Sequence, residues 1–129
     1  MSHYHAVVWI DHAEARVQEF SGAVTERKHV RNQHRRHLHH KSGVIGSGKA
    51  CPDLAFLKDV AANLMDAGEI LVLGPGNAKL DLLRYLHTHL PALEAKVVGI
   101  ETADHPTDAQ VVAHARAYFA AADRMLPRT

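Results

Sequence analysis

The chain has 129 residues, 47% hydrophobic and 22% charged, with 15 Lys and Arg against 14 Asp and Glu for a formal net charge of +1. That length and balance predict one folded domain, residues 1–129, with its own core, and exclude a disordered chain; the lone Cys51 excludes an internal disulfide. No apolar run reaches the roughly 18 to 20 residues of a bilayer-spanning helix, and MSHYHAVVWID has neither the basic nor the long apolar region of a secretory signal, so a cytoplasmic protein without a membrane partner is expected.

In chain order, HAVVWID (5–11) is a short apolar run rich in β-branched residues and predicts a strand. Asp11, His12 and Ala13 form a turn, and the alternation over Glu14 to Phe20 predicts a second strand. Ser21 and Gly22 turn the chain into a third strand, Ala23 to Arg31, antiparallel to the second. Pro52 suits a first helical position with Asp53 in the first turn, and Leu54, Leu57, Ala61, Leu64 and Met65 recur at helical spacing until Gly68. EILVL (69–73) is an apolar run expected of a strand buried on both faces. A second helix follows the turn Gly74-Pro75-Gly76-Asn77, carried by Leu80, Leu83, Leu86 and Leu90 and ended at Pro91. KVVGIE (96–101) predicts another buried strand. Thr107 and Gln110 spell a capping box for a last helix with Val111, Ala115, Tyr118 and Ala122 on its apolar side. The order βββ-α-β-α-β-α predicts an α/β fold, a mixed sheet of the ribonuclease H-like kind with helices packed on its faces.

The charge is unevenly spread. Residues 27 to 49 hold seven Lys and Arg and five His, and no acid occurs between Glu26 and Asp53. Within this stretch a basic, glycine-rich loop is expected at 32–50. A patch of this kind on a near-neutral body favours polyanions such as nucleic acid. Its histidines add charge as pH falls, so binding through it should strengthen in acid. The loop ends in Gly43-Val44-Ile45-Gly46-Ser47-Gly48-Lys49-Ala50, a near match to a nucleotide-binding loop. Ala50 replaces the Ser or Thr that would hold magnesium, and no buried strand precedes the motif, so nucleotide hydrolysis is not expected. A second turn, Gly74, Gly76, Asn77 and Lys79, joins a strand to a helix N-terminus and is a candidate anion site.

Metal chemistry finds little support. His37, His39 and His40 stand among Arg35, Arg36 and Lys41, whose charges oppose a divalent cation, and the spacing fits no zinc signature. Asp11, Glu101 and Asp104 fall short of the convergent acids a two-metal nuclease needs. Neither a metal nor a cofactor is expected. Cys51 reads as an inert small residue at a helix start.

The stretches VVWIDHAEARVQEF, HHKSGVIGSGK, GEILVLGPGNAKLDLLRYLHTHLP and VVGIETADHPTDAQVVAHARAYF resemble the small bacterial "translational machinery proteins". These are similar to the middle, ribonuclease H-like domain of archaeo-eukaryotic peptide-chain release factors and the related ribosome-rescue factor. In that domain, the resemblance implies, the loop between the third strand and the first helix carries a basic run and then Gly-Gly-Gln, which positions water for peptidyl-tRNA hydrolysis. Here the equivalent place is His39 to Lys49, and Gly-Gly-Gln occurs nowhere. The expectation is therefore a non-enzymatic, translation-associated protein, without the codon-reading and partner-binding domains of a release factor. It would bind the phosphates of ribosomal RNA or tRNA through Arg27, Lys28, Arg31, Arg35, Arg36, His39, His40, Lys41, Gly43, Gly46, Gly48 and Lys49. Two other readings stay open: a peptidyl-tRNA or ester hydrolase in which a histidine such as His40 replaces the Gln, and a module that pairs with a second copy of itself or another protein.

Overall fold

The computed structural model describes residues 5–21, 24–32 and 54–125, without the side chains of Val24 and of residues 122–125. Three strands come first, β1 (His5–Ile10), β2 (Glu14–Ser21) and β3 (Val24–Arg31). They are followed by α1 (Leu54–Ala62), β4 (Glu69–Gly74), α2 (Ala78–His89), the single turn α3 (Pro91–Glu94), β5 (Val97–Thr102) and α4 (Asp108–Met125). The strands form one sheet in the order β3-β2-β1-β4-β5. β1 pairs antiparallel with β2 and parallel with β4, so the sheet is mixed, in the ribonuclease H-like arrangement expected.

β1 sits at the centre, and its apolar run follows from that place. Ala6 through Ile10 are all 0% exposed, because successive side chains enter opposite layers. Ala6, Val8 and Ile10 join Ile70 and Val72 of β4 under α1 and α2; Val7 and Trp9 join Leu71, Leu73 and Phe20 under α4. Each large apolar side chain so buried contributes roughly 1.5 to 3 kcal/mol. The capping box forms as expected: the Thr107 N–H donates to Gln110 Oε1 at 2.9 Å and the Gln110 N–H to Thr107 Oγ1 at 3.1 Å. Val111, Ala115 and Phe119 are the buried side of α4, with Tyr118 packed beside them. Phe119, which the 3.6-residue pattern did not single out, is buried with them.

Four expectations are corrected. α1 ends at Ala62, short of Gly68, because tighter bonds close its last turn (Leu64 N–H to the Ala61 carbonyl, 2.9 Å) and the Asn63 amide donates to the Asp59 carbonyl at 2.9 Å. Leu54 and Met65 are consequently exposed, and Phe56 and Val60 take their places in the core. α2 is rotated from its expected face: Ala78, Leu82 and Leu86 are buried, while Leu80 is exposed. Five leucines between positions 80 and 90 make the apolar face ambiguous, and contact with β1 and β4 decides it. Pro91, expected only as a stop, opens α3, whose Leu93 enters the core. β5 is not buried on both faces. It is an edge strand, with Val98 41% and Ile100 37% exposed. Gly22, Ala23, Cys51, Pro52 and Asp53 lie outside the described residues.

Candidate nucleic-acid interface

Among the described residues β3 forms the other edge of the sheet, hydrogen-bonded to β2 alone. Its register sets Arg27 opposite Gln18, His29 opposite Arg16 and Arg31 opposite Glu14, all on the α4 side, while Lys28 faces the other layer opposite Val17. Arg27 and Arg31 are exposed and have no ion-pair partner among the described residues. Lys28 is engaged, its Nζ 3.4 Å from Glu19 Oε1, and His29 bonds Glu14 Oε1. Of the basic residues predicted to bind phosphate, the strand therefore presents Arg27 and Arg31 most openly. Arg35, Arg36, His39, His40, Lys41, Gly43, Gly46, Gly48 and Lys49 lie outside the described residues.

α4 covers Phe20 and Trp9, and its Arg116 Nη2 donates to Thr25 Oγ1 on β3 at 3.1 Å. An open groove of about 560 Å³ remains between β2–β3 and the segment His105 to Asp108. Arg16 holds that segment to the sheet. Its Nη1 donates to the Pro106 carbonyl at 3.1 Å and stands 3.6 Å from Asp108 Oδ1, while its guanidinium lies over the Trp9 ring, 5.0 Å from the centroid. Trp9 adds a bond from Nε1 to the Asp104 carbonyl at 3.0 Å, and His105 packs against its ring at 4.9 Å. Gln18 forms the groove floor, 1% exposed, its Nε2 donating to the Asp108 carbonyl at 3.2 Å. Sequence reasoning missed Gln18, Arg16 and Asp108. The signal was a pair of polar residues, Arg16 and Gln18, on the same side of β2 as Phe20.

At the second turn the structure brings Gly74, Gly76, Asn77 and Lys79 together at the start of α2. Gly74 is the buried end of β4, and its carbonyl accepts the Ala103 N–H at 3.0 Å. Asn77 is the N-cap but makes no side-chain cap bond; its carbonyl accepts from Leu80 at 2.9 Å and Asp81 at 3.0 Å. Lys79 Nζ donates to the Gly76 carbonyl at 2.6 Å. Asp81 sets a carboxylate in the first turn, 3.7 Å from His12 and 3.5 Å from Arg84. A resident negative charge thus already answers the helix dipole there.

Asp11 is a turn residue. Its Oδ1 accepts the N–H groups of Ala13 (2.8 Å) and Glu14 (2.9 Å), and Oδ2 lies 3.7 Å from His105. Glu101 is taken up by His114 at 2.6 Å, and Asp104 is 99% exposed. Among the described residues no group of three or more His, Cys, Asp or Glu is placed to hold a metal ion, and no helix is long and apolar enough to cross a membrane.

No protein family's model matches this sequence, and no curated protein matches it either. Solved structures do. Pelota of Archaeoglobus fulgidus aligns with a TM-score of 0.62 at 18% identity, over 91% of this chain and 32% of that one. The archaeal translation termination factor aRF1 gives 0.54 at 15% identity, over 95% and 39%. Dom34 of S. cerevisiae, described as a translation termination-like factor involved in RNA quality control pathways, gives 0.55 at 10% identity, over 85% and 31%. The chain spans about a third of the length of these proteins, and at such identities the likeness is one of fold: its mixed sheet and helices are those of a Pelota- and aRF1-like domain.

Proposed function

We propose that this is a translation-associated RNA-binding protein of the bacterial translational-machinery type, docking on ribosomal RNA or tRNA phosphates. The contacts begin on β3 with Arg27, Lys28 and Arg31 and continue through Arg35, Arg36, His39, His40 and Lys41 to the glycine-spaced stretch Gly43, Gly46, Gly48 and Lys49. The observation that carries the reading is the edge strand: β3 exposes Arg27 and Arg31 and leads into a sequence without an acid until Asp53. The fold shared with Pelota, aRF1 and Dom34 supports the translation context. The absence of Gly-Gly-Gln from the sequence supports binding without peptide release. Phosphate contacts give affinity that falls with salt and reads little sequence.

Co-sedimentation with ribosomes at low salt tests it. The triple variant Arg35→Glu, Arg36→Glu, Lys41→Glu should lose binding at least tenfold, and unaltered sedimentation would overturn the reading. A pull-down with and without RNase separates RNA from a protein partner: captured material should disappear when RNA is digested.

A further inference from the structure

The groove beside β3 has chemistry that phosphate contacts leave unused. Gln18 Oε1 is buried and accepts no hydrogen bond among the described residues. Its amide cannot simply be turned over to find one, because Nε2 donates to the Asp108 carbonyl and the flipped oxygen would face that oxygen instead. Asp108 Oδ1 is a second buried acceptor without a hydrogen bond. Arg16 Nη1 forms an ion pair with it at 3.6 Å, beyond hydrogen-bond distance, and donates a hydrogen bond to the Pro106 carbonyl. Both residues line the same groove, and Arg27 stands opposite Gln18 on the neighbouring strand. Buried acceptors without donors are costly to keep, so two of them in one open groove suit a ligand that brings donors.

The ligand chemistry follows from that pair and its charged neighbour. A guanine edge presents a ring N–H and an exocyclic amine side by side. Adenine and cytosine flank their amine with an acceptor nitrogen, and uracil offers one N–H. A nucleotide also carries the phosphate that Arg27 is free to hold. We propose that the groove receives one unpaired guanine nucleotide of a bound RNA. Gln18 Oε1 and Asp108 accept from the base edge, and Arg27 contacts the adjoining phosphate. Unstacked bases of single-stranded RNA are the ones whose edges a protein can reach. The inference rests on the RNA-binding reading of β3 and adds base preference to a surface that would otherwise be blind to sequence.

Fluorescence anisotropy with the full chain tests it, using a short labelled U-rich RNA with one central guanine and the same RNA with adenine there. The guanine RNA should bind about tenfold more tightly, the discrimination expected of a good two-point base contact. Gln18→Met, near in shape and without the acceptor, and Asp108→Ala should each bring the two affinities together; Arg27→Ala should weaken both RNAs alike. A circular dichroism melt shows whether Gln18→Met folds, and Asp108→Ala carries the test if it does not. Equal affinity of the unaltered protein for the two RNAs overturns this inference alone. A guanine preference that survives Asp108→Ala also overturns it. Failure to bind either RNA overturns it together with the reading it rests on.

Discussion

Gly74 ends β4 so close to Ile10 of β1 that a methyl group on its Cα would overlap the Ile10 carbonyl oxygen. The obstacle is backbone of the central strand, which cannot move without disturbing two ladders. Gly74→Ala should therefore destabilise the fold by about 2 kcal/mol or more, read as a lowered urea midpoint. Gly99→Ala makes the useful contrast. A methyl there meets the Tyr118 hydroxyl, the far end of a side chain that can swing away, at the loss of its 3.0 Å bond to the Val98 carbonyl. That change should cost about 1 kcal/mol. Equal losses at the two sites would contradict the packing argument.

Asp11 provides a test of turn against metal chemistry. Two backbone N–H groups depend on its Oδ1. Asn keeps that oxygen, so Asp11→Asn should leave stability nearly unchanged, within about 0.5 kcal/mol, whereas Asp11→Ala should cost about 1 to 2 kcal/mol. If Asn were as damaging as Ala in chemical unfolding, the carboxylate charge would matter through its neighbour His105 and not through the turn.

The same distinction between local chemistry and tertiary context explains what could be read in advance. β1 and β4 announce themselves because a strand buried on both faces needs an unbroken apolar run, and the Thr107–Gln110 box is a local bond pattern that needs no partner element. Val97, Val98 and Ile100 make KVVGIE look like another buried strand beside EILVL, yet it lies at an edge. Position in the sheet is a property of the assembly, invisible in six residues. The face of α2 is similarly settled by the strands beneath it. At the candidate interface, charge made Arg27, Lys28 and Arg31 easy to single out, but only the register shows that Lys28 turns toward Glu19 and away from the other two. Gln18 carries no charge and no motif. Its interest comes from what surrounds its Oε1 after folding.

That difference among the three β3 cations has a measurable consequence. Arg27 and Arg31 are exposed without an acidic partner among the described residues, whereas Lys28 is already paired. Arg27→Ala and Arg31→Ala should each flatten the plot of log binding constant against log salt by about 0.7 for single-stranded RNA, with weaker binding at low salt. Lys28→Ala should change the slope by less than half as much, since an ion pair must first open for a phosphate to use it. A titration series at several salt concentrations distinguishes the three.

The proposed interface carries a histidine-rich sequence that predicts a pH dependence. His34, His37, His39 and His40 lie in a sequence with Arg35, Arg36 and Lys41 and without an acid. Imidazoles gain positive charge between about pH 8 and pH 5, and a bound phosphate favours the charged form. If RNA binds through these residues as proposed, binding takes up protons, and affinity should rise as pH falls through this range. Affinity should increase about tenfold from pH 8 to pH 6 at fixed ionic strength. Replacing His37, His39 and His40 together by Gln should flatten the profile. A profile that stays steep without the three histidines would assign the proton uptake to other groups.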